Sequence, residues 1–138
     1  MNLNDAAFVE AFSQFVKRCG RWRNYEPRAL VGQWSDLVAS CVRGFQGNAV
    51  EDYFNGLTAR GDLEKAMNAP ELAHFPQMDL VRRAVLAADE ELRAILIPDA
   101  FPKFPESEWW LRGVVRYAGP QLAEDLRRDY GIVIDVVR

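Results

Sequence analysis

The chain has 138 residues, 49 % of them hydrophobic and 27 % charged, with seventeen basic against twenty acidic side chains for a net charge of -3. This length and composition predict one folded domain over 1–138 with a substantial core, and they exclude a disordered or low-complexity chain. The acidic balance argues against a dedicated nucleic-acid binder, and no apolar run approaches the ~20 residues of a membrane span.

The two cysteines, Cys19 and Cys41, fall in helical patterns and make neither a disulfide framework nor a zinc site, so they read as packed thiols. Met1 to Asp5 has no basic n-region and no apolar h-region, which predicts a cytoplasmic protein without a secretory signal.

In chain order, Phe8, Val9, Phe12, Phe15 and Val16 keep one helical face apolar, with Asn4 as the expected N-cap and Gly20 as the stop. After a basic loop around Trp22, Pro27 suits the first position of a second helix, whose buried face is Leu30, Trp34, Leu37, Val38, Cys41 and Phe45. Asn48 with Glu51 resembles a capping box for a third helix carrying Val50, Tyr53, Phe54 and Leu57, and Gly61-Asp62 predicts a kink. A connector from Asn68 to Pro76 holds the only histidine, His74. The clearest periodicity follows, with Val81, Ala84, Val85, Ala88, Leu92, Ile95 and Leu96 inward, while Asp79-Arg83 and Asp89-Arg93 read as i,i+4 pairs on the solvent side. Pro98, Pro102 and Pro105 stiffen a loop containing Phe101 and Phe104. Trp109 to Tyr117 fits either a strand or a helix. Pro120 to Tyr130 reads as a short helix ended by Gly131, and Ile132 to Val137 as a closing strand. The predicted fold is mainly α: a bundle of about five helices with a small C-terminal β element.

Catalytic chemistry is hard to assemble from these residues. A Ser or Cys nucleophile needs a base, and His74 in its connector reads as a surface or packing residue. Metal ligation by His and Cys fails on count and spacing, and the glycine-rich phosphate loops are missing. The acidic clusters Glu51-Asp52, Asp62-Glu64 and Asp89-Glu90-Glu91 read first as solvated helix faces. These readings predict a protein with no enzymatic activity, no cofactor and no metal. Acidic residues concentrate from Glu51 to Glu91, which suits a module that occludes a basic partner protein.

Trp34-Ser35-Asp36-Leu37-Val38, followed by Glu51-Asp52-Tyr53-Phe54-Asn55-Gly56-Leu57-Thr58-Ala59-Arg60, is similar to a pattern of small bacterial immunity proteins that neutralise contact-dependent growth inhibition toxins. Ala88-Asp89-Glu90-Glu91-Leu92 and Trp109-Trp110-Leu111-Arg112 extend the resemblance over roughly residues 34 to 116. It implies a cytoplasmic inhibitor that binds a cognate toxin domain, often a nuclease, and occludes its active site. The alternative expectation is a non-catalytic adaptor or effector-chaperone module. Packing also accounts for the same motif: Trp34, Tyr53 and Leu57 as core, with Asn55 and Arg60 linking neighbouring helices. The expected partner surface is Glu51, Asp52, Asp62, Glu64, Asp89, Glu90 and Glu91, with Leu86 as an apolar anchor and Trp110 as a contact from the aromatic loop.

Overall fold

Six α-helices account for most of the residues that the computed structural model describes, 2–20 and 25–138. The basic loop Arg21 to Asn24, with Trp22 at its centre, lies outside the described residues. The helices are α1 (Ala6–Arg18), α2 (Pro27–Arg43), α3 (Val50–Met67), α4 (Met78–Arg93), α5 (Trp109–Arg112) and α6 (Pro120–Tyr130). None of them is long and apolar enough to cross a membrane.

Asp5, rather than Asn4, caps α1: its Oδ1 accepts the Phe8 N–H at 3.1 Å, satisfying one of the first-turn donors that the helix leaves open. Pro27 opens α2 as expected, since its missing N–H costs nothing at a first-turn position. Gly44, at φ 95°, then turns the chain out of α2 into a conformation that a side chain disfavours. Packing centres on α2, which lies most extensively against α4 and next against α3. Gly56 makes the second contact close: a Cβ there would stand 2.7 Å from Leu37 Cδ1. Phe12, Trp34, Val38, Tyr53, Leu57, Val81, Val85 and Leu92 are all fully buried in one continuous core.

The expected capping box at Asn48 is replaced by a longer-range arrangement. Ala49 is the N-cap of α3 and has no side-chain acceptor to offer. Asp125 of α6 supplies it instead, taking the Val50 N–H on Oδ2 at 2.9 Å, while Asp52 reaches back to the Asn48 N–H at 3.0 Å. Nor does α3 break at Gly61-Asp62; it is one helix through to Met67. Propensity alone would weaken it there, but Leu57, Arg60, Leu63 and Ala66 are buried on both sides of the glycine and hold it.

The ambiguous stretch resolves into both structures. Pro105 starts a 3-10 turn, Glu106–Glu108, that runs into the single turn of α5, and the extended Gly113 then hands the chain to a strand. Strand β1 (Leu96–Ile97) pairs antiparallel with β2 (Val114–Val115), in register Leu96 to Val115. Strand β3 (Tyr117–Ala118) pairs in parallel with β4 (Asp135–Val136), so only two residues of the expected closing strand are paired.

Candidate functional site

The site grows from an ion pair inside the helical layer. Arg60 of α3 donates from Nε and Nη2 to the two carboxylate oxygens of Asp89 on α4, each at 3.0 Å, and both side chains are about 5 % exposed. Trp34 of α2 donates its indole N–H to Asp89 Oδ1 at 3.0 Å, so one carboxylate joins three helices. The remaining Arg60 nitrogen, Nη1, donates to Glu64 Oε1 at 2.9 Å. Bidentate geometry and a satisfied fork are what allow such a pair to persist out of water. Over the guanidinium lies Trp110, its ring centroid 4.5 Å from the Arg60 carbon. Trp109 meets Trp110 edge-on at 89°, and its ring carries the Arg93 guanidinium at 3.9 Å.

Each tryptophan walls a different cleft. Trp110 lines one of about 390 Å³ together with Asp62, Glu64, Lys65 and Glu108, and Glu64 there also accepts from Arg60. Trp109 lines another, of about 290 Å³, in which Arg93, Arg112 and Arg116 outnumber Asp99 and Glu106.

This geometry revises the expected partner surface. Asp89 is buried and committed to Arg60 and Trp34; it is not a surface charge, and Arg93 stacks on Trp109 instead of pairing with it. Trp110 is 2 % exposed, so it serves as a wall and a lid for Arg60 and not as a protruding contact. Asp62 and Glu64 come together at the acidic cleft. Glu51 and Asp52 are exposed but stand roughly 15 Å further up α3, at 1.5 Å per residue. Glu90 and Glu91 are exposed on α4, about 100° apart around the helix, and Leu86 is 58 % exposed near Glu90. Of the two residues expected to link helices, Arg60 does so, whereas Asn55 is exposed. Glu108 was not anticipated: in sequence it only opens a turn, and its place beside Asp62 depends on the fold.

Cys41, Tyr53 and His74 lie outside both clefts. Burial pushes the Cys41 thiol up to about 12, which holds it protonated, and the nearby Tyr53 hydroxyl is raised first by burial and then by Cys41. His74 is exposed and stacks on Phe75, with ring centroids 4.1 Å apart. Among the described residues, no three His, Cys, Asp or Glu side chains converge as metal ligands.

Comparison of the chain with family models, with curated proteins and with solved structures found no match.

Proposed function

We propose that this protein is a non-catalytic inhibitor that neutralises a basic toxin domain, a nuclease in the favoured case, in the manner of a cytoplasmic immunity protein. The observation that carries this reading is the cleft lined by the carboxylates of Asp62, Glu64 and Glu108 beside Lys65, with Glu64 tied from below to the buried Arg60-Asp89 pair. A nuclease keeps cationic side chains in its active site to hold phosphates, and a rigid acidic concavity receives such a side chain with little ordering cost. Glu90 and Glu91 on α4 extend the negative field that steers encounter, and Leu86 offers an apolar contact beside Glu90.

The resemblance over residues 34 to 116 supports the same reading from the sequence side. Its Trp, Arg and Asp positions turn out to be the buried network, so the shared pattern marks the scaffold beneath the cleft.

An immunity gene sits directly downstream of its toxin gene, which makes growth rescue the decisive experiment. The toxin domain encoded upstream is expressed with and without this protein, and complex formation is measured on the purified pair. Protection with a stoichiometric complex is expected. A pair that neither binds nor protects overturns the reading.

A further inference from the structure

The cleft on the Trp109 side has a chemistry opposite to that of the protein as a whole. Arg112 is already occupied: its Nε bonds to Asp99, and its Nη1 donates to the carbonyls of Pro102 at 3.2 Å and Phe104 at 2.7 Å. That bonding fixes the loop, and Asp99 holds a left-handed backbone, φ 58°, to take part in it. A non-glycine residue kept in this region is strained unless its surroundings over-determine it.

With Asp99 and Arg112 cancelling each other, the cleft retains Arg93 and Arg116 against Glu106 alone. The guanidinium of Arg93 lies over the Trp109 ring, 3.9 Å from its centroid, a contact that leaves its hydrogen-bonding capacity unused. Arg116 directly follows β2, anchored where its N–H meets the Ile95 carbonyl at 2.8 Å. Only Ala94 separates Ile95 from Arg93, so this hydrogen bond brings both arginines to the same cleft. Neither guanidinium has a carboxylate partner among the described residues.

We propose that this cleft binds an oxyanion, a phosphate or carboxylate group on a small molecule, with Arg93 and Arg116 as the recognising pair and Trp109 as the flat wall. Two guanidinium forks suit the planar, multi-acceptor geometry of such groups. A cleft of about 290 Å³ has room for the anion and a compact body, but not for a large cofactor. The site is independent of the acidic cleft, which lies against the other tryptophan.

The experiment is an NMR titration of the intact protein with inorganic phosphate and, in a second arm, acetate, at constant ionic strength. The Trp109 indole N–H and the Arg93 and Arg116 Nε–H signals are followed. Saturable shifts at all three are expected in at least one arm, and the arm that saturates at lower concentration identifies the anion class. Arg93→Gln and Arg116→Gln should each weaken binding roughly tenfold, the loss of one charge-assisted hydrogen bond, and Glu106→Gln should tighten it. Arg83→Gln, exposed on the same helix, should change nothing. All the substituted side chains are exposed, so melting temperatures should match the parent. Linear, unsaturating shifts in both arms overturn the proposal, as does an Arg83→Gln effect equal to that of Arg93→Gln.

Discussion

The helical layer of α1 to α4 and the region from β1 to the C-terminus are held together by different means. Long helices with continuous apolar stripes build the first, and a buried ion pair ties α3 to α4 at the centre. The second contains a single helix of more than one turn and two-residue strands, from which Trp110, Val114, Val115, Leu122 and Leu126 reach into the same core. Specific polar contacts to the first region add to that packing. The Gly119 N–H meets the Phe45 carbonyl at 2.8 Å, the Tyr117 hydroxyl donates to the Val42 carbonyl at 2.6 Å, and Asp125 caps α3. The helical layer should therefore fail all at once, and the C-terminal region contact by contact.

Breaking the ion pair should have the largest effect. Removing one member leaves the other charged and buried, at a cost of about 3–5 kcal/mol. Asp89→Ala or Arg60→Met should bring the unfolding midpoint down steeply in denaturant melts. The double variant Arg60→Met with Asp89→Leu should recover part of that loss, because no lone charge remains and only the Trp34 indole N–H is left unpaired, at about 1–3 kcal/mol. Trp34→Ala should cost a similar ~3–5 kcal/mol, since it both empties a fully buried site and strips Asp89 of a donor. A melting temperature unchanged in Asp89→Ala would mean that the layer is not organised around this pair.

Asp125→Ala tests the other side of the comparison. Its carboxylate is buried and holds the Val50 N–H, Gln121 and Arg128 together, so about 1–3 kcal/mol should be lost. Hydrogen exchange should show faster opening of α6 and the first turn of α3, with the Val81 and Val85 amides still protected. Uniform acceleration across the chain would show one cooperative unit instead of two regimes.

The thiols sharpen the contrast without a mutation. Cys41 lies within the helical layer with its thiol raised to about 12, whereas Cys19 is half-buried at the end of α1. A thiol reagent at pH 8 should titrate one group in the native protein and two in denaturant. Fast reaction of Cys41 in the native state would mean that the α2 layer opens readily.

Function should respond to charge where stability does not. Glu90→Lys with Glu91→Lys changes two exposed residues, so melting should stay close to the parent. Association with the proposed toxin partner should slow, and the deficit should shrink as salt rises. Asp89→Lys cannot serve in such a test, because it would place an ammonium against Arg60 in the core.

Much of this was legible where a stripe was long. The bounds of α6 and the start of α2 follow from Pro120, Gly131 and Pro27, and the burial of Trp34 follows from its place among Leu30, Leu37, Val38 and Cys41. The buried pair also left a trace that reading by charge alone passes over. Asp89 lies four residues after Val85, on the inward face, and Arg60 continues the spacing of Tyr53 and Leu57. A charged residue in phase with a core stripe signals a partner across the interface. By contrast, the Asp125 cap spans 75 residues, and Glu108 joins the cleft of Asp62 only through the turn before α5. No local pattern encodes such meetings.

The smallest expected effect concerns the outer face of α6, where the charges are fully exposed. The Arg127 hydrogen bond holds the Glu124 carboxyl below its ordinary 4.5, and the Arg128 hydrogen bond holds Asp129 below 3.8. A carboxyl depressed by folding contributes stability above its unfolded value and loses that contribution as pH falls through the folded one. Glu124→Gln with Asp129→Asn should therefore melt slightly below the parent at neutral pH and coincide with it once both carboxyls are protonated. Water and salt screen these pairs, so the gap should also close at high ionic strength. If the gap at neutral pH instead rivals that of Asp125→Ala, surface pairing is a main support of α6, and the distinction between buried caps and exposed pairs in the C-terminal region fails.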